Sequence, residues 1–194
     1  MLPQPLIFLD LETTGMAAAQ ERITEIGLVE VANGEFVGSW SQLVNPGKSI
    51  PPFIQSLTGI SNRMVREAPR FEQLAPRLLE RLAGKLLVAH NARFDYSFLK
   101  SEFERLDLCY SPRVLCTAKL SRKLFPEHRR HNLDSLIERH GLSCSARHRA
   151  LGDAEVLWHF MQKIYAEVDS ARIEAALRAQ LGPPAVPAGL PSAA

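Results

Sequence analysis

Two acidic residues, Asp10 and Glu12, interrupt an apolar run that is otherwise typical of a buried β-strand. Side chains alternate between the two faces of a strand, so both carboxylates point to the same side. No lysine or arginine lies between them, and two like charges at the end of a buried strand need a positive partner. A divalent cation such as Mg2+, which binds carboxylates, water and substrate phosphate, would satisfy them. The alternative is a strand end whose acids are simply solvated.

A further acidic residue, Asp95, follows a short apolar segment that is predicted to be a buried strand over 85–89. Asn91 is a suitable N-cap for the next helix, and Asp95 in its first turn would be stabilised by the helix dipole. Ligand sites of α/β sheets lie at the carboxyl ends of neighbouring strands. Asp95 would therefore lie beside Asp10 if the two strands are adjacent.

His148 and Asp153 lie where the last long amphipathic segment begins. A five-residue step turns a helix by roughly 140°, so the two side chains cannot share a face of one helix. We therefore expect His148 in the preceding loop, from where it could reach over a site that Asp153 enters from the helix. Either residue alone is also common as a solvated histidine or as a helix-dipole partner.

The elements that must position these residues follow from hydrophobic periodicity. Strands are predicted over 5–12 and 22–31, and Asn33-Gly34 is a strong hairpin signal that returns the chain into a third strand through 36–44. Helices are predicted over 71–82, 93–107, 117–124, 132–140, 149–167 and 169–181, with short helical turns over 54–57 and 63–67. Strands first and alternating elements later predict an α/β fold with a mixed sheet.

Composition excludes several classes of protein. The 194 residues suit one domain, and 46% hydrophobic with 23% charged residues is ordinary for a soluble globular chain. No apolar span or signal peptide is recognisable, so we expect a cytoplasmic location and no membrane partner. A net charge of +2 does not indicate a nucleic-acid binder, although arginines cluster at 129–130 and 147–149. Three cysteines without metal-type spacing are expected to be reduced thiols.

Taken together, three ordered motifs resemble those of the DEDDh exonucleases, the DnaQ-like family that includes the proofreading epsilon subunit of bacterial DNA polymerase III. The motifs read Asp10-x-Glu12-Thr13-Thr14-Gly15, Asn91-x-x-Phe94-Asp95 and His148-x4-Asp153. The segments 50–65 and 130–136 also look like that family, and the resemblance covers about residues 5–167. Three motifs in order are far more specific than any one of them. The His-x4-Asp spacing, in place of Tyr-x3-Asp, indicates the histidine branch.

The resemblance implies a ribonuclease-H-like mixed β-sheet, with an antiparallel three-strand meander plus parallel strands, flanked by helices. It also implies 3'-5' exonucleolysis that releases nucleoside 5'-monophosphates. Asp10, Glu12, Asp95 and Asp153 would bind two ions, Mg2+ or Mn2+, and His148 would be the general base. By similarity, the residues in contact with substrate would be Thr13, Leu57, Thr58, Ile60, Asn91 and Phe94.

Several alternatives stay open at this point. Phe94 could stack on a base or pack into the core. The expected substrate is the 3' end of single-stranded nucleic acid, DNA rather than RNA, in proofreading or repair; an RNA-trimming enzyme and an inactive scaffold are the alternatives. A scaffold has no need of a repulsive acidic cluster, which argues against that role.

The resemblance also suggests how the chain is divided. Residues 1–181 would form the exonuclease domain, and 182–194, rich in proline, alanine and glycine, would be a flexible tail or linker. The proline-rich end suggests a piece of a longer fusion. A DNA polymerase subunit or a fused C-terminal domain would then be the protein partner.

Overall fold

The computed structural model describes residues 5–182, and the tail predicted over 182–194 lies outside them except for its first residue. The strands are β1 (Leu6–Thr13), β2 (Ile23–Ala32), β3 (Glu35–Leu43), β4 (Leu86–Ala89) and β5 (Val114–Cys116). The helices are α1 (Pro52–Thr58), α2 (Asn62–Val65), α3 (Phe71–Leu82), α4 (Arg93–Glu104), α5 (Thr117–Leu124), α6 (Leu133–His140), α7 (Ala150–Glu167) and α8 (Ser170–Leu181). Within the described range, no helix is both long and apolar enough to cross a membrane.

The strands form one mixed sheet in the order β3-β2-β1-β4-β5. β1, β2 and β3 are an antiparallel meander, and the hairpin turn at Asn33-Gly34 has positive φ at both residues. β4 runs parallel to β1, and β5 runs parallel to β4. The predicted α/β fold with a mixed sheet is therefore confirmed, although β5 was not predicted.

β1 divides the hydrophobic core between the two faces of the sheet. Leu6 and Phe8 face one core, which includes α7, whereas Ile7 and Leu9 face the other, which includes α3 and α4. All four side chains are at most 2% exposed. The alternation of a strand continues this order, so Asp10 lies on the face that α7 covers.

α7 approaches β2 unusually closely, and a glycine makes this possible. A Cβ added to Gly27 would lie 2.2 Å from the carbonyl carbon of Ala150, far inside van der Waals contact. Gly27 is paired with Asp10 across β1 and β2, so the contact lies beside the first acidic residue. The missing side chain thus sets how near the start of α7 comes to the acidic end of β1.

The two edges of the sheet are covered differently. At β5, the side-chain amide of Gln180 accepts a hydrogen bond from the backbone N–H of Cys116 at 3.1 Å and donates one to its carbonyl at 3.3 Å. At β3, no further strand is paired within the described residues, and Phe36 and Val37 are 57% and 63% exposed. The three cysteines are free thiols, as predicted.

Replacing Gly27 with alanine should destabilise the fold, because the new methyl group collides with the backbone of α7. We expect Gly27→Ala to lower the free energy of unfolding by about 1–3 kcal/mol or more, measured by urea denaturation. Gly38→Ala is the matched control: Gly38 lies on the neighbouring strand, and a Cβ there meets nothing within 4 Å. Equal stability of the two variants would contradict the close-approach argument.

Candidate active site

Three carboxylates converge where the end of β1 meets the first turn of α7. They belong to Asp10, Glu12 and Asp153, and one oxygen from each lies within 4.8 Å of the other two. Asp10 and Glu12 share a face of β1, and Asp153 enters from the helix that covers this face. The structure therefore brings together residues that are more than 140 positions apart in the chain. All three donors are oxygens, which hard divalent cations prefer.

Asp95 lies beside this cluster rather than within it. β4 and β1 are parallel neighbours, and α4 follows β4, so the first turn of α4 places Asp95 against β1. The Asp95 carboxylate is buried and interacts with the backbone N–H of Leu11. Its charge is the strongest electrostatic influence on Asp10 after burial. The predicted proximity of Asp95 and Asp10 agrees with this geometry, and its role as a ligand stays a prediction.

Burial and mutual repulsion disfavour ionisation throughout the site. Burial, followed by the charge of Asp153, raises the pKa of Glu12 to about 8. Burial also raises the pKa of Asp95 to about 7, and burial followed by the charge of Asp95 holds the pKa of Asp10 well above its usual range. Such a cluster is electrostatically costly unless a cation joins it. Perturbed carboxylates of this kind are typical of functional sites.

Arg147 is a residue of the site that sequence reasoning noted only as part of an arginine cluster. Its Nη1 forms an ion pair with the Asp153 carboxylate, and its Nε donates to Oδ1 of Asp134 at 2.7 Å. The same guanidinium favours the ionised forms of Asp10 and Glu12. The other oxygen of Asp153, Oδ1, is buried and has no hydrogen-bond partner in the described part of the chain. Asp153 thus keeps one donor atom available for a ligand.

His148 lies in the loop just before α7, as predicted from its spacing. It has a φ of 57°, in the left-handed region that residues other than glycine rarely adopt. It is partly exposed and lies close enough to Asp153 to interact with that carboxylate. Strained backbone at such a position is common at functional sites, where the surrounding structure holds it.

Asn91 has the same unusual backbone conformation, with a φ of 54°, and a buried polar contact fixes the residue before it. Nδ1 of His90 lies 2.9 Å from Oγ1 of Thr117, and this hydroxyl donates to the carbonyl of Ala89 at 3.3 Å. Burial lowers the pKa of His90 to about 4, so the ring is neutral at neutral pH. These hydrogen bonds connect the end of β4, which precedes Asn91 and Asp95 in the chain, to the end of β5.

The substrate contacts predicted at the end of α1 and just after it differ in their exposure to solvent. Leu57 is 44% exposed and is free to meet a ligand. Thr58 is buried, and its hydroxyl donates to the carbonyl of Ile54 and accepts from the N–H of Ile60. Ile60 is fully buried in a small core with Ile50. The Ile60 side chain supports this loop from within the core, and its contact with substrate stays a prediction.

The other predicted substrate contacts also differ in exposure. Thr13 is buried, and its hydroxyl donates to the carbonyl of Gly15 at 2.7 Å. Asn91 is exposed at the end of β4. Phe94 is partly buried, with its ring 4.8 Å from that of Phe98. The ring of Phe94 therefore packs against the core on the α4 side of the sheet, and its stacking on a base stays a prediction.

Comparison with known proteins agrees with this arrangement. Residues 7–160 match the family model RNase_T, which is described as an exonuclease. The chain belongs to this exonuclease family. The DnaQ-like resemblance of the three motifs is thereby confirmed, and exonucleases of this family generally use divalent metals.

Two relatives of this exonuclease chain are much longer proteins. It is 38% identical over 168 residues to a PolC-type DNA polymerase III of Caldanaerobacter subterraneus subsp. tengcongensis, covering 87% of this chain and 12% of the relative. It is 32% identical over 166 residues to the 3'-5' exonuclease DinG of Staphylococcus saprophyticus, covering 85% and 18%. The chain thus spans less than a fifth of the length of these relatives.

Solved structures of exonucleases share the fold. Exonuclease X in complex with 5' overhanging duplex DNA superimposes with a TM-score of 0.69 at 27% identity, covering 88% of this chain and 98% of that one. E. coli exonuclease I with a dT13 oligonucleotide gives a TM-score of 0.76 at 18% identity, covering 90% and 43%. The second likeness concerns the fold alone, and the two together confirm the predicted ribonuclease-H-like architecture.

The raised pKa values predict how stability depends on pH in EDTA. Glu12 rises from 4.5 to about 8 and Asp95 from 3.8 to about 7, so the folded chain binds these protons more tightly than the unfolded chain. Their contribution to stability is complete below about pH 4 and is lost as the pH rises to about 8. Glu12→Gln should therefore be more stable than the wild type at pH 8, measured by urea denaturation in EDTA, and the difference should shrink towards pH 4.

Glu30→Gln is the matched control for this experiment. Glu30 lies on β2 and pairs with Arg81 and Lys85, so its replacement should bring no gain at pH 8. A Glu12→Gln variant that is less stable than the wild type at pH 8 would contradict the electrostatic description of the site.

Proposed function

We propose that this exonuclease domain hydrolyses DNA from its 3' end and releases nucleoside 5'-monophosphates, with Asp10, Glu12, Asp95 and Asp153 binding two Mg2+ or Mn2+ ions. The observation that carries the proposal is the cluster of three carboxylate oxygens within 4.8 Å of one another. Membership of the exonuclease family supports the class of reaction.

The residues present fit divalent ions of this kind. The donors are all carboxylate oxygens, and Asp153 Oδ1 is buried without a partner among the described residues. The raised pKa values of Asp10 and Glu12, caused by burial and by neighbouring carboxylates, support a cation between them. When bound, two such ions would supply an activated water and stabilise the departing 3' oxygen.

His148 is proposed as the group that accepts the proton of the attacking water. Histidine suits this role at neutral pH, and its loop position leaves the ring accessible beside Asp153. Arg147 contacts Asp153 in this structure, so it must share or release that carboxylate when the site is loaded. Its second partner, Asp134, is largely exposed and keeps the guanidinium beside the site.

Substrate recognition is proposed for the exposed side chains that border the acids. Leu57, Asn91 and the accessible side of Phe94 would contact the terminal nucleotide, while Thr13 and Thr58 shape the loops that carry them. Aromatic and aliphatic contacts of this type hold a nucleotide without reading its sequence.

The preference for DNA rests on the similar proteins. Exonuclease X and exonuclease I have been solved with DNA, and a PolC-type DNA polymerase III contains a similar segment. We therefore propose a role in proofreading or repair, in which a polymerase subunit or a fused domain presents the single-stranded 3' end.

The activity is tested with 3'-labelled single-stranded DNA. We expect mononucleotide release with Mg2+ or Mn2+ and none with EDTA, followed by electrophoresis or chromatography of the products. A matched RNA oligonucleotide in the same assay distinguishes the proposed enzyme from an RNA-trimming enzyme. Persistence of the label in the presence of metal would overturn the proposal.

The role of His148 is tested by its replacement with alanine. Loss of the proton acceptor should lower kcat by about 10²- to 10⁴-fold, while calorimetric binding of Mn2+ remains close to that of the wild type. His159→Ala is the control and should keep its rate, because His159 lies further along α7 and outside the carboxylate cluster. Unchanged turnover in His148→Ala would remove this residue from the mechanism.

A further inference from the structure

We propose that Glu25 is a positioning residue of the active site, which acts through Arg149 and the backbone of Ala150 to fix His148 and Asp153. This inference rests on the proposed function, since it concerns the same site. Neither carboxylate oxygen of Glu25 belongs to the three-residue cluster, and both are engaged elsewhere.

The contacts of Glu25 are those of a fully satisfied buried charge. Its carboxylate accepts hydrogen bonds from Arg149 Nη2 at 2.6 Å and Nε at 3.0 Å, in a two-pronged arrangement. Oε2 also accepts the backbone N–H of Ala150 at 2.9 Å. The residue is 1% exposed, so removal of Arg149 would leave an uncompensated carboxylate inside the protein.

The position of Glu25 in the sheet brings its negative charge close to that of Glu12. It is paired directly with Glu12 across β1 and β2, so the two glutamates lie on the same face. Like charges in directly opposite positions destabilise a sheet. Arg149, whose charge also interacts with Glu12, offsets this repulsion. Glu25, a further acid beside the three-carboxylate cluster, is therefore neutralised by Arg149.

The hydrogen bond from the Ala150 N–H to Glu25 lies between His148 and Asp153 in the chain. Ala150 is the first residue of α7, with His148 two residues before it and Asp153 three residues after it. A carboxylate at this position accepts a hydrogen bond from an N–H of the first turn that has no partner within the helix. Its negative charge also interacts favourably with the helix dipole. A displacement of Ala150 would therefore move His148 and Asp153 together.

The surrounding backbone leaves little room for this segment to adjust. Ala150 is pressed against Gly27, two residues beyond Glu25 on β2. A Cβ on Gly152 would lie 2.3 Å from the carbonyl oxygen of Ala146, so the loop folds back tightly over the start of the helix. Glu25 is thus one of the points that determine the position of His148, whose strained φ depends on its surroundings.

Glu102 provides a matched control for a role in stability alone. It is 2% exposed and binds Arg22 in the same two-pronged way, at 2.7 and 2.9 Å, but it lies on α4. Glu102→Gln and Glu25→Gln should therefore lower the thermal midpoint comparably. Only the change at Glu25 should alter the position of His148.

The experiment compares these two variants in the full chain. With Mg2+ and single-stranded DNA, Glu25→Gln should lower kcat by about 10- to 100-fold with little change in KM, whereas Glu102→Gln stays near the wild type. In EDTA, the NMR signals of the Ala150 amide and the His148 ring should shift in Glu25→Gln but not in Glu102→Gln. Arg149→Gln, at a partly exposed position, tests the same contact if Glu25→Gln does not fold.

A double variant shows whether Glu25 acts through Arg149. Glu25→Gln combined with Arg149→Gln should be no slower than the slower single variant, since both remove one shared contact. Wild-type kcat together with unchanged Ala150 and His148 signals in Glu25→Gln would overturn the inference, as would a loss of rate that Glu102→Gln reproduces. A wild-type chain that does not degrade DNA would instead refute the proposed function, and the NMR comparison in EDTA would still decide the role of Glu25.

Discussion

The repulsion between buried carboxylates at the end of β1 is the constraint on which the rest of the site depends. Asp10 and Glu12 are held on one face of a central strand, and Asp153 is brought to them from α7. Burial makes each of these charges unfavourable, and nearby arginines offset part of that cost. Arg147 contacts Asp153, and Arg149 neutralises the glutamate that faces Glu12. The loop before α7 therefore combines electrostatic compensation with the delivery of His148.

Much of this architecture could be predicted from local sequence. Hydrophobic periodicity gave the helices over 71–82 and 117–124 with the bounds that the structure shows, and the Asn-Gly pair marked the hairpin. The predicted helix 93–107 ends earlier, at Glu104, because its last residues form a turn. The three acidic motifs predicted the family, since their residue types and order are specific even where each motif is weak.

What could not be predicted depends on contacts between distant residues. β5 is three residues long, too short for any periodicity, and is formed by pairing with β4. The bond between Glu25 and Arg149 joins positions 124 residues apart, and Arg147 is one arginine among several. One signal was available, because a glutamate inside a strand as apolar as β2 requires a buried partner. Ile60 had no such signal, and its burial follows from the packing of α1 and α2.

The unlike edges of the sheet determine how the domain can meet other chains. Gln180 occupies both hydrogen-bonding groups of Cys116, so the β5 side is closed to an incoming strand at that residue. The β3 side is an edge strand of nine residues that includes exposed Phe36 and Val37, without a lysine or proline to discourage pairing. An incoming strand would therefore meet fewer obstacles at β3 than at β5, on the far side of the sheet.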